Sequence, residues 1–455
     1  MKTFAKLISL TLSAAILLMI CFAVPAMALT DGDWEVQLLD NEVRILRYLG
    51  DDSEVVIPET IMGCPVTSFG YGDKVFDGNA NITSVEFRPK MTEFTEYLCC
   101  DLSNLEEVIL HEGIESIGSN AFWHCGKLKK INLPSTLKIV GDSAFEGCGS
   151  LTSIVLPEGI EEVHAQAFGW TGLTEIDLHN AKGYGDDAFC YCEKLERVKL
   201  SPMAENVPQR MFIGCTSLKD VEMPSGVKYI GDRSFEDCFV LESIIFPTTL
   251  LDISYKAFIR TGLREVVIPY GAKLISSEAF RECKNLEAVY IPETVTTMHI
   301  NPINDCPNAI IYCTADSYAA GYCKDNGLSY LTDNSVNSGI HVYYNGKRIS
   351  FHSYSQNPEI LEGRTLVPLR SIFEAMGAQV EWNGDTKTAT AKRGKVSVEI
   401  TIGANEIYKN GKAISVDVPA QIVNDRTMVP ARVIAEAFGA QVEWNANGRS
   451  VMITE

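Results

Sequence analysis

The apolar residues of this chain keep one register over most of its length. In Ala121-Phe122-Trp123-His124-Cys125-Gly126-Lys127-Leu128-Lys129-Lys130-Ile131-Asn132-Leu133-Pro134, an aromatic ring, a cysteine and an alternating Leu-x-x-Ile-x-Leu lead to proline. Ala144-Phe145 opens the next copy, with Cys148, Leu151, Ile154, Leu156 and Pro157 in the same places. The register runs on from Phe168, Phe189, Phe212, Phe235, Phe258 and Phe280, and successive rings from Phe122 lie 23, 23, 21, 23, 23, 23 and 22 residues apart. A fixed period of this size specifies a solenoid: one copy cannot bury its Leu, Ile and Phe alone, and stacked copies can. The alternation before each proline predicts a short half-buried strand. Pro134, Pro157, Pro224, Pro247, Pro269 and Pro292 end it, since proline donates nothing to a ladder. A second apolar pair follows, as in Ile139-Val140-Gly141 and Tyr229-Ile230-Gly231. Ala-Phe then predicts a short helical or turn segment carrying the cysteine, with Phe145, Phe212 and Phe235 in the interior.

The pattern is modified in some copies and at its ends. Two copies lack a residue and carry Thr for Cys, at Thr171 before Leu173 and Thr261 before Leu263. The first full copy has Cys99 in the Phe place and Leu102 in the Cys place, as terminal repeats often depart from the pattern. Residues 29–75 read as an N-terminal cap, with Trp34 to Leu38 and Val43 to Tyr48 forming a hairpin around Asp40-Asn41. Ser317 to Asn326 reads as a closing helix stopped by Gly327. The polar stretch 331–339 predicts a linker on which the two flanking domains fold independently. Residues 340–455 are duplicated. Asn345-Gly346-Lys347 returns as Asn410-Gly411-Lys412, and Arg364 to Arg370 (RTLVPLR) returns as Arg426 to Arg432 (RTMVPAR). Glu374 to Asn383 (EAMGAQVEWN) returns as Glu436 to Asn445 (EAFGAQVEWN). Each half predicts a hairpin, a short helix (Leu369, Ile372, Phe373 and Met376 in the first), a glycine stop and further strands.

Over roughly residues 30–330 the repeats resemble the BspA-like leucine-rich repeats of bacterial surface and secreted proteins. The half-repeat of 340–455 resembles the copper amine oxidase N-terminal-like domain, also called a stalk domain. The resemblance implies an accessory module, since copper and the tyrosine-derived cofactor of that oxidase family belong to a separate catalytic domain absent here. His341 and His352, the histidines of this domain, offer little for copper. The expected architecture is thus a β-rich leucine-rich-repeat solenoid of short parallel strands with a period of about 23. A small α+β domain made of two half-repeats follows. The divisions are a signal peptide over 1–28, the cap over 29–75, repeats with their C-terminal cap over 76–330, the linker over 331–339 and the duplicated domain over 340–455.

Composition narrows the class. Lys2 and Lys6, the apolar run Leu7 to Val24 and Ala26-Met27-Ala28 read as a secretory signal peptide cleaved after Ala28. A retained anchor is disfavoured by the short run, and lipidation at Cys21 by Ile20. The formal charge is −20, so the chain lacks the basic footprint that nucleic acid or anionic lipid requires. Among 14 cysteines, Cys125, Cys148, Cys192, Cys215, Cys238 and Cys283 hold one repeat position. They read as buried thiols: Thr substitutes for them, and parallel Cβ vectors suit a disulfide poorly. A metal site is disfavoured because the cysteines come one per repeat. Cys306, Cys313 and Cys323 are placed beyond the repeats, and a disulfide among them is left open.

Catalytic signals are thin. No H-E-x-x-H, G-x-S-x-G, P-loop or Rossmann pattern occurs. Ser135-Thr136-Leu137-Lys138 fits S-x-x-K inside a repeat, and the seven histidines are scattered. Arg370 and Arg432 each stand four residues before a glutamate, which favours an i,i+4 helix pair over an anion site. The favoured reading is an exported, non-enzymatic binding or adhesion protein of the cell surface or secreted fraction. It needs no cofactor or metal, has no membrane span once the signal is removed, and recognises a protein or cell-surface glycan through its repeats. The alternative is an accessory cell-wall component whose C-terminal domain docks glycan or a catalytic partner; a hidden hydrolase is the third reading. The candidate binding face is the column of residues just before the last apolar one of each strand: Ile109, Asn132, Val155, Asp177, Lys199, Glu222, Ile245, Val267 and Tyr290. Ile245, Val267 and Tyr290 form an apolar patch with Glu222 and Lys199 at its rim. Either a partner protein docks there on Tyr290, or residues 300–330 or the second domain cover it.

Overall fold

The structure is a computed structural model that describes residues 28–70, 75–337, 339–349, 351, 357–424, 426–445 and 449–455. The expected signal segment up to Met27, and His352, lie outside these residues. The chain divides into two compact units, Met1–Leu173 and Thr174–Glu455, so the division falls inside the repeats.

In the first unit the expected hairpin joins strands Trp34–Leu39 and Glu42–Tyr48 through Asp40 and Asn41, both at positive φ (43° and 73°). That is the primed turn whose twist matches paired strands. Repeat coils follow, each contributing to two parallel ladders. One contains Glu54–Ile57, Ser84–Phe87, Glu107–Ile109 and Lys130–Asn132. The other contains Glu93–Phe94, Ser116–Ile117, Ile139–Val140 and Glu162–Val163. The second unit repeats the scheme, with Glu175–Asp177, Arg197–Lys199 and Asp220–Glu222, then Glu265–Val267, Ala288–Ile291, Ile310–Cys313 and Tyr330–Thr332.

The Ala-Phe segment is a run of turns, not a helix. The residues two before and two after the ring both sit at positive φ, as with Asn120 (57°) and His124 (58°) around Phe122, or Arg233 (55°) and Asp237 (65°) around Phe235. The reason lies in the backbone. Asn120, Phe122 and His124 all turn their N–H groups along the stack, to the carbonyls of Asp142, Ala144 and Glu146, each at 2.8 Å. A left-handed residue costs about 1–2 kcal/mol, and the hydrogen bonds to the next coil offset it.

Inside, the rings stack. Phe94, Phe122, Phe145 and Phe168 lie 4.9, 5.2 and 5.3 Å apart. In the second unit Phe189, Phe212, Phe235, Phe258 and Phe280 lie 5.8, 5.4, 5.0 and 5.4 Å apart. All nine are fully buried. Where Cys99 replaces the ring, Phe94 from the second ladder fills the column.

The repeat cysteines are free thiols whose role is hydrogen bonding. Each Sγ donates to the carbonyl at the ring position one coil back: Cys148 to Phe122 (3.2 Å), Cys215 to Phe189 (3.2 Å), Cys238 to Phe212 (3.3 Å) and Cys283 to Phe258 (3.1 Å). Cys306 does the same to Phe280 (3.1 Å), and Ile303 is buried in the ring place. A further coil therefore contains Cys306, which the sequence placed beyond the repeats. In the short copies Thr171 and Thr261 bond the carbonyl of their own coil's ring, Phe168 and Phe258 (2.8 and 3.0 Å). The lost residue draws the chain in: a Cβ on Gly172 or Gly262 would lie 2.4 or 2.3 Å from a carbonyl oxygen of the preceding coil.

The closing helix spans Tyr318–Asn326, with Ser317 accepting from the Ala320 N–H and Gly327 left-handed (φ 67°). Residues of the expected linker 331–339 contact their neighbours. Tyr330–Thr332 extends the strand ladder, Asp333 and Val336 are buried, and Asn337 Oδ1 accepts from the Glu293 N–H (3.0 Å).

In the duplicated domain Arg364–Pro368 and Arg426–Pro430 pair antiparallel, with Val367 opposite its own counterpart Val429. A local twofold axis passes between them. The hairpin strand His341–Tyr344 of the first half pairs with Ser450–Thr454 of the second, so the halves interlock. Helices Leu369–Ala375 and Ala431–Ala437 follow the central strands. Arg393 closes both, donating to the Met376 and Phe438 carbonyls at 2.9 and 3.2 Å, and pairs with Glu455.

Phe212→Ala should destabilise the protein by about 3–5 kcal/mol, read as a lowered melting temperature; an unchanged curve would contradict the ring column. Gly262→Ala should lower the melting temperature clearly, whereas Gly149→Ala, with no atom within 4 Å of the added carbon, should leave it in place.

Candidate functional site

The strand column found in the sequence lies where period-two alternation puts it, opposite the core. Ile109, Asn132, Lys199 and Glu222 are exposed, and Val155 is 80% exposed. Lys199 pairs with Asp177 of the preceding coil (3.0 Å). Such pairs recur one coil apart along the surface: Lys129–Glu106, Lys138–Glu115, Lys219–Glu196 and Lys228–Glu205. Exposed pairs like these contribute little each. They balance charge between coils, which suits a solvated face.

The C-terminal end of the column differs. Ile245 and Val267 are half-buried and Tyr290 is buried. They form one wall of a groove of about 1080 Å³, whose other wall is the Tyr343 to Arg348 hairpin of the duplicated domain. Lys199 and Glu222 do not line this groove. Tyr290 stacks on Tyr312 with ring centres 4.8 Å apart, and the Arg348 guanidinium lies 4.0 Å above its ring. Tyr290 is therefore engaged by the chain's own second domain and does not stand free as an aromatic anchor. Burial and the carboxylate of Glu265 push the Tyr290 hydroxyl up to about 12.

Sequence reasoning missed Glu265, Tyr343 and Arg348. Glu265 is the first residue of its strand, and its Oε1 is buried without a hydrogen-bond partner. Burial pushes its carboxyl up to about 7, against the opposing pull of Arg348 and Lys347 and with a smaller push from Glu287. Nothing in the local sequence marks it, because the arginine that faces it lies 83 residues away along the chain. A smaller recess nearby, about 320 Å³, is lined by Val267, Tyr270, His341 and Arg449 among others.

The remaining candidates resolve simply. Ser135 Oγ donates to Glu112 (2.8 Å) and Lys138 pairs with Glu115 (2.7 Å), so the S-x-x-K pair serves the coils. His111, His124, His164 and His179 each face a separate carboxylate. Among the described residues no cluster of His, Cys, Asp and Glu could hold a metal. His341 is buried with Nδ1 unpartnered, and burial with the charges of Arg348 and Arg449 pushes its pKa down to about 3. A neutral imidazole flanked by two guanidiniums does not fit copper, which would meet their repulsion. Arg370 makes the expected pair with Glu374 (3.9 Å). Arg432 makes no ion pair among the described residues.

Comparison with known proteins bears on the fold and the family. Residues 71–196 and 182–310 match the BspA type leucine rich repeat region, and residues 343–453 match the copper amine oxidase N-terminal domain. The fold is similar to a leucine-rich repeat protein from Bacteroides ovatus (TM-score 0.50, 22% identity, 71% of this chain and 82% of that one). A leucine rich cell surface protein from Faecalibacterium prausnitzii is also similar (TM-score 0.41, 23% identity, 68% and 99%). A protein named protease inhibitor from Brevibacillus choshinensis is 30% identical over 77 residues, 17% of this chain and 24% of its own length. The match thus spans about a quarter of that relative. No helix among the described residues is long and apolar enough to cross a membrane.

The Glu265 carboxyl gives a pH test. Its folded pKa lies above the ordinary 4.5, so the folded chain holds a proton that the unfolded chain releases. Stability contributed by protonated Glu265 is present below pH 4.5 and is lost as pH rises through about 7. Glu265→Gln should raise the melting temperature at pH 8 and flatten this part of the pH profile. An unchanged profile would show that Glu265 is solvated.

Proposed function

From the premise that the chain belongs to the BspA type leucine rich repeat family and carries a copper amine oxidase N-terminal domain behind the repeats, we propose an exported, non-enzymatic binding protein of the bacterial surface. Its repeats hold a partner, and its duplicated domain is an accessory module. The observation that carries this reading is the groove of about 1080 Å³ at the C-terminal end of the strand column. Its floor is apolar at Ile245 and Val267, and its sides are charged at Glu242, Arg264, Glu287 and Lys347. Apolar floor with polar rim is the anatomy of a protein-recognition site. The occupant is an extended segment of a partner protein. Its apolar side chains lie over Ile245 and Val267, while Lys199 and Glu222 extend the contact along the exposed strands. Tyr290 contributes by holding the groove's two walls together through Arg348.

The test uses Ile245→Ser with Val267→Ser and leaves the buried Tyr290 intact. The double variant should keep the wild-type melting curve and weaken binding to a peptide-library hit about 10–30-fold. Equal binding would place the site elsewhere, a hit from a glycan library alone would make the occupant a sugar, and turnover of any library member would overturn the non-enzymatic reading.

A further inference from the structure

A second cleft, about 730 Å³, lies within the duplicated domain. It is lined by the indole of Trp444, by Ile360 and Val442, and by Arg432, Glu443 and Asp417. Trp444 stands on strand Gln441–Asn445 opposite Val451, and it is 38% exposed. The internal duplication provides a control within the same molecule. In the first half Arg370 is paired with Glu374 (3.9 Å), and Glu381 with Lys392 (3.2 Å). Their counterparts in the second half are Arg432 and Glu443. Neither makes an ion pair among the described residues, and both line the cleft. Met452 stands opposite Glu443 where the first half has Thr390 opposite Glu381, and no lysine reaches it. Asp417 is fixed by Arg364 (2.6 Å), whose hydrogen bond keeps the carboxyl below the usual aspartate range and so ionised.

We propose that this cleft binds an acidic glycan: a carboxylate-bearing pyranose stacks on Trp444, its carboxylate meets Arg432, and its hydroxyls donate to Asp417. An indole offers a broad apolar face to the C–H side of a sugar ring. A guanidinium free of an internal partner is suited to a carboxylate, which it can take up with two parallel hydrogen bonds. Ionised carboxylates accept hydroxyl protons and would repel a second anion, so one anionic group per ligand fits better than several. A peptide ending in a free carboxylate could use Arg432 and donate a backbone N–H to Asp417, but it offers no saturated ring face to stack on Trp444. This inference rests on reading the chain as a binding protein and not on what the repeat groove holds, so loss of either site leaves the other testable.

The experiment is isothermal titration of the full mature chain with two disaccharides that differ in one lactyl carboxylate: N-acetylglucosaminyl-N-acetylmuramic acid and N,N′-diacetylchitobiose. The wild type should bind the acidic sugar about tenfold tighter than the neutral one. Arg432→Gln should bring the acidic sugar down to the neutral level, and Arg370→Gln should change neither. Trp444→Ala should lose both sugars and Trp444→Phe should recover part of the binding, with unchanged melting curves confirming the fold. Equal affinity of the wild type for both sugars would overturn the proposal. So would insensitivity to Arg432→Gln, absence of binding at millimolar sugar, or binding of acetyl-trialanine in place of the acidic disaccharide.

Discussion

Coil spacing governs the repeats. Strands in a ladder must lie about 4.8 Å apart, and a phenyl ring stacks on its neighbour at nearly that distance. Phe235 and Phe258 are 5.0 Å apart and within 6° of parallel. A ring at this position therefore stacks on the rings of the coils before and after it, from Phe122 to Phe168 and from Phe189 to Phe280. The same spacing forces the outer turn to present three N–H groups along the stack. Left-handed residues are the means of doing that without an extra residue. The thiol three residues after the ring completes the set, by adding a second hydrogen bond to a carbonyl that already accepts from its own coil, as the Phe122 carbonyl accepts from the Cys125 N–H (3.1 Å) and from Cys148 Sγ (3.2 Å).

These requirements differ in how they write themselves into sequence. The ring column, the prolines after each strand, the hairpin at Asp40-Asn41 and the helix from Ser317 to Gly327 each demand particular residue types, and each was legible. The left-handed positions were not. They carry Asn120, His124, Gln166, Trp170, Arg233 and Lys256, where glycine would have been the signal. Intercoil hydrogen bonds hold the conformation, so residue type is left free there. The last coil was missed for a related reason: Ile303 replaces the ring, and only the Cys306 thiol keeps the register. The first coil shows the reverse, with the ring supplied out of register by Phe94.

The candidate site was legible only in part. Alternation gave the side of each strand on which the column lies, exposed at Ile109, Asn132, Val155, Lys199 and Glu222, because it depends on a period within each strand. It could not show that Tyr290 lies under Arg348, since the contact joins residues far apart in sequence. Glu265 belongs to the same class: an ordinary outward position became a buried carboxyl because another domain packs over it. A linker as polar as 331–339 also reads as free chain until its partners are known. Its backbone continues a strand ladder at Leu331 and Thr332 and its Asn337 side chain accepts from the Glu293 amide, contacts that composition does not announce.

Duplication sharpens the question of function in the C-terminal domain. Twofold pairing at Val367 and Val429 makes the two halves equivalent in backbone, and helix, glycine stop and strand follow alike in both. Shared sequence such as G-A-Q-V-E-W-N is therefore explained by folding, and it says little about ligands. The informative residues are those that are identical in type yet differently engaged. Arg370 and Arg432 are one such pair, Glu381 and Glu443 another. Their backbones satisfy the same fold, so the loss of ion pairing in the second half is not required by architecture. Arg432 lines a cleft beside an exposed indole, which is an arrangement the fold alone does not need.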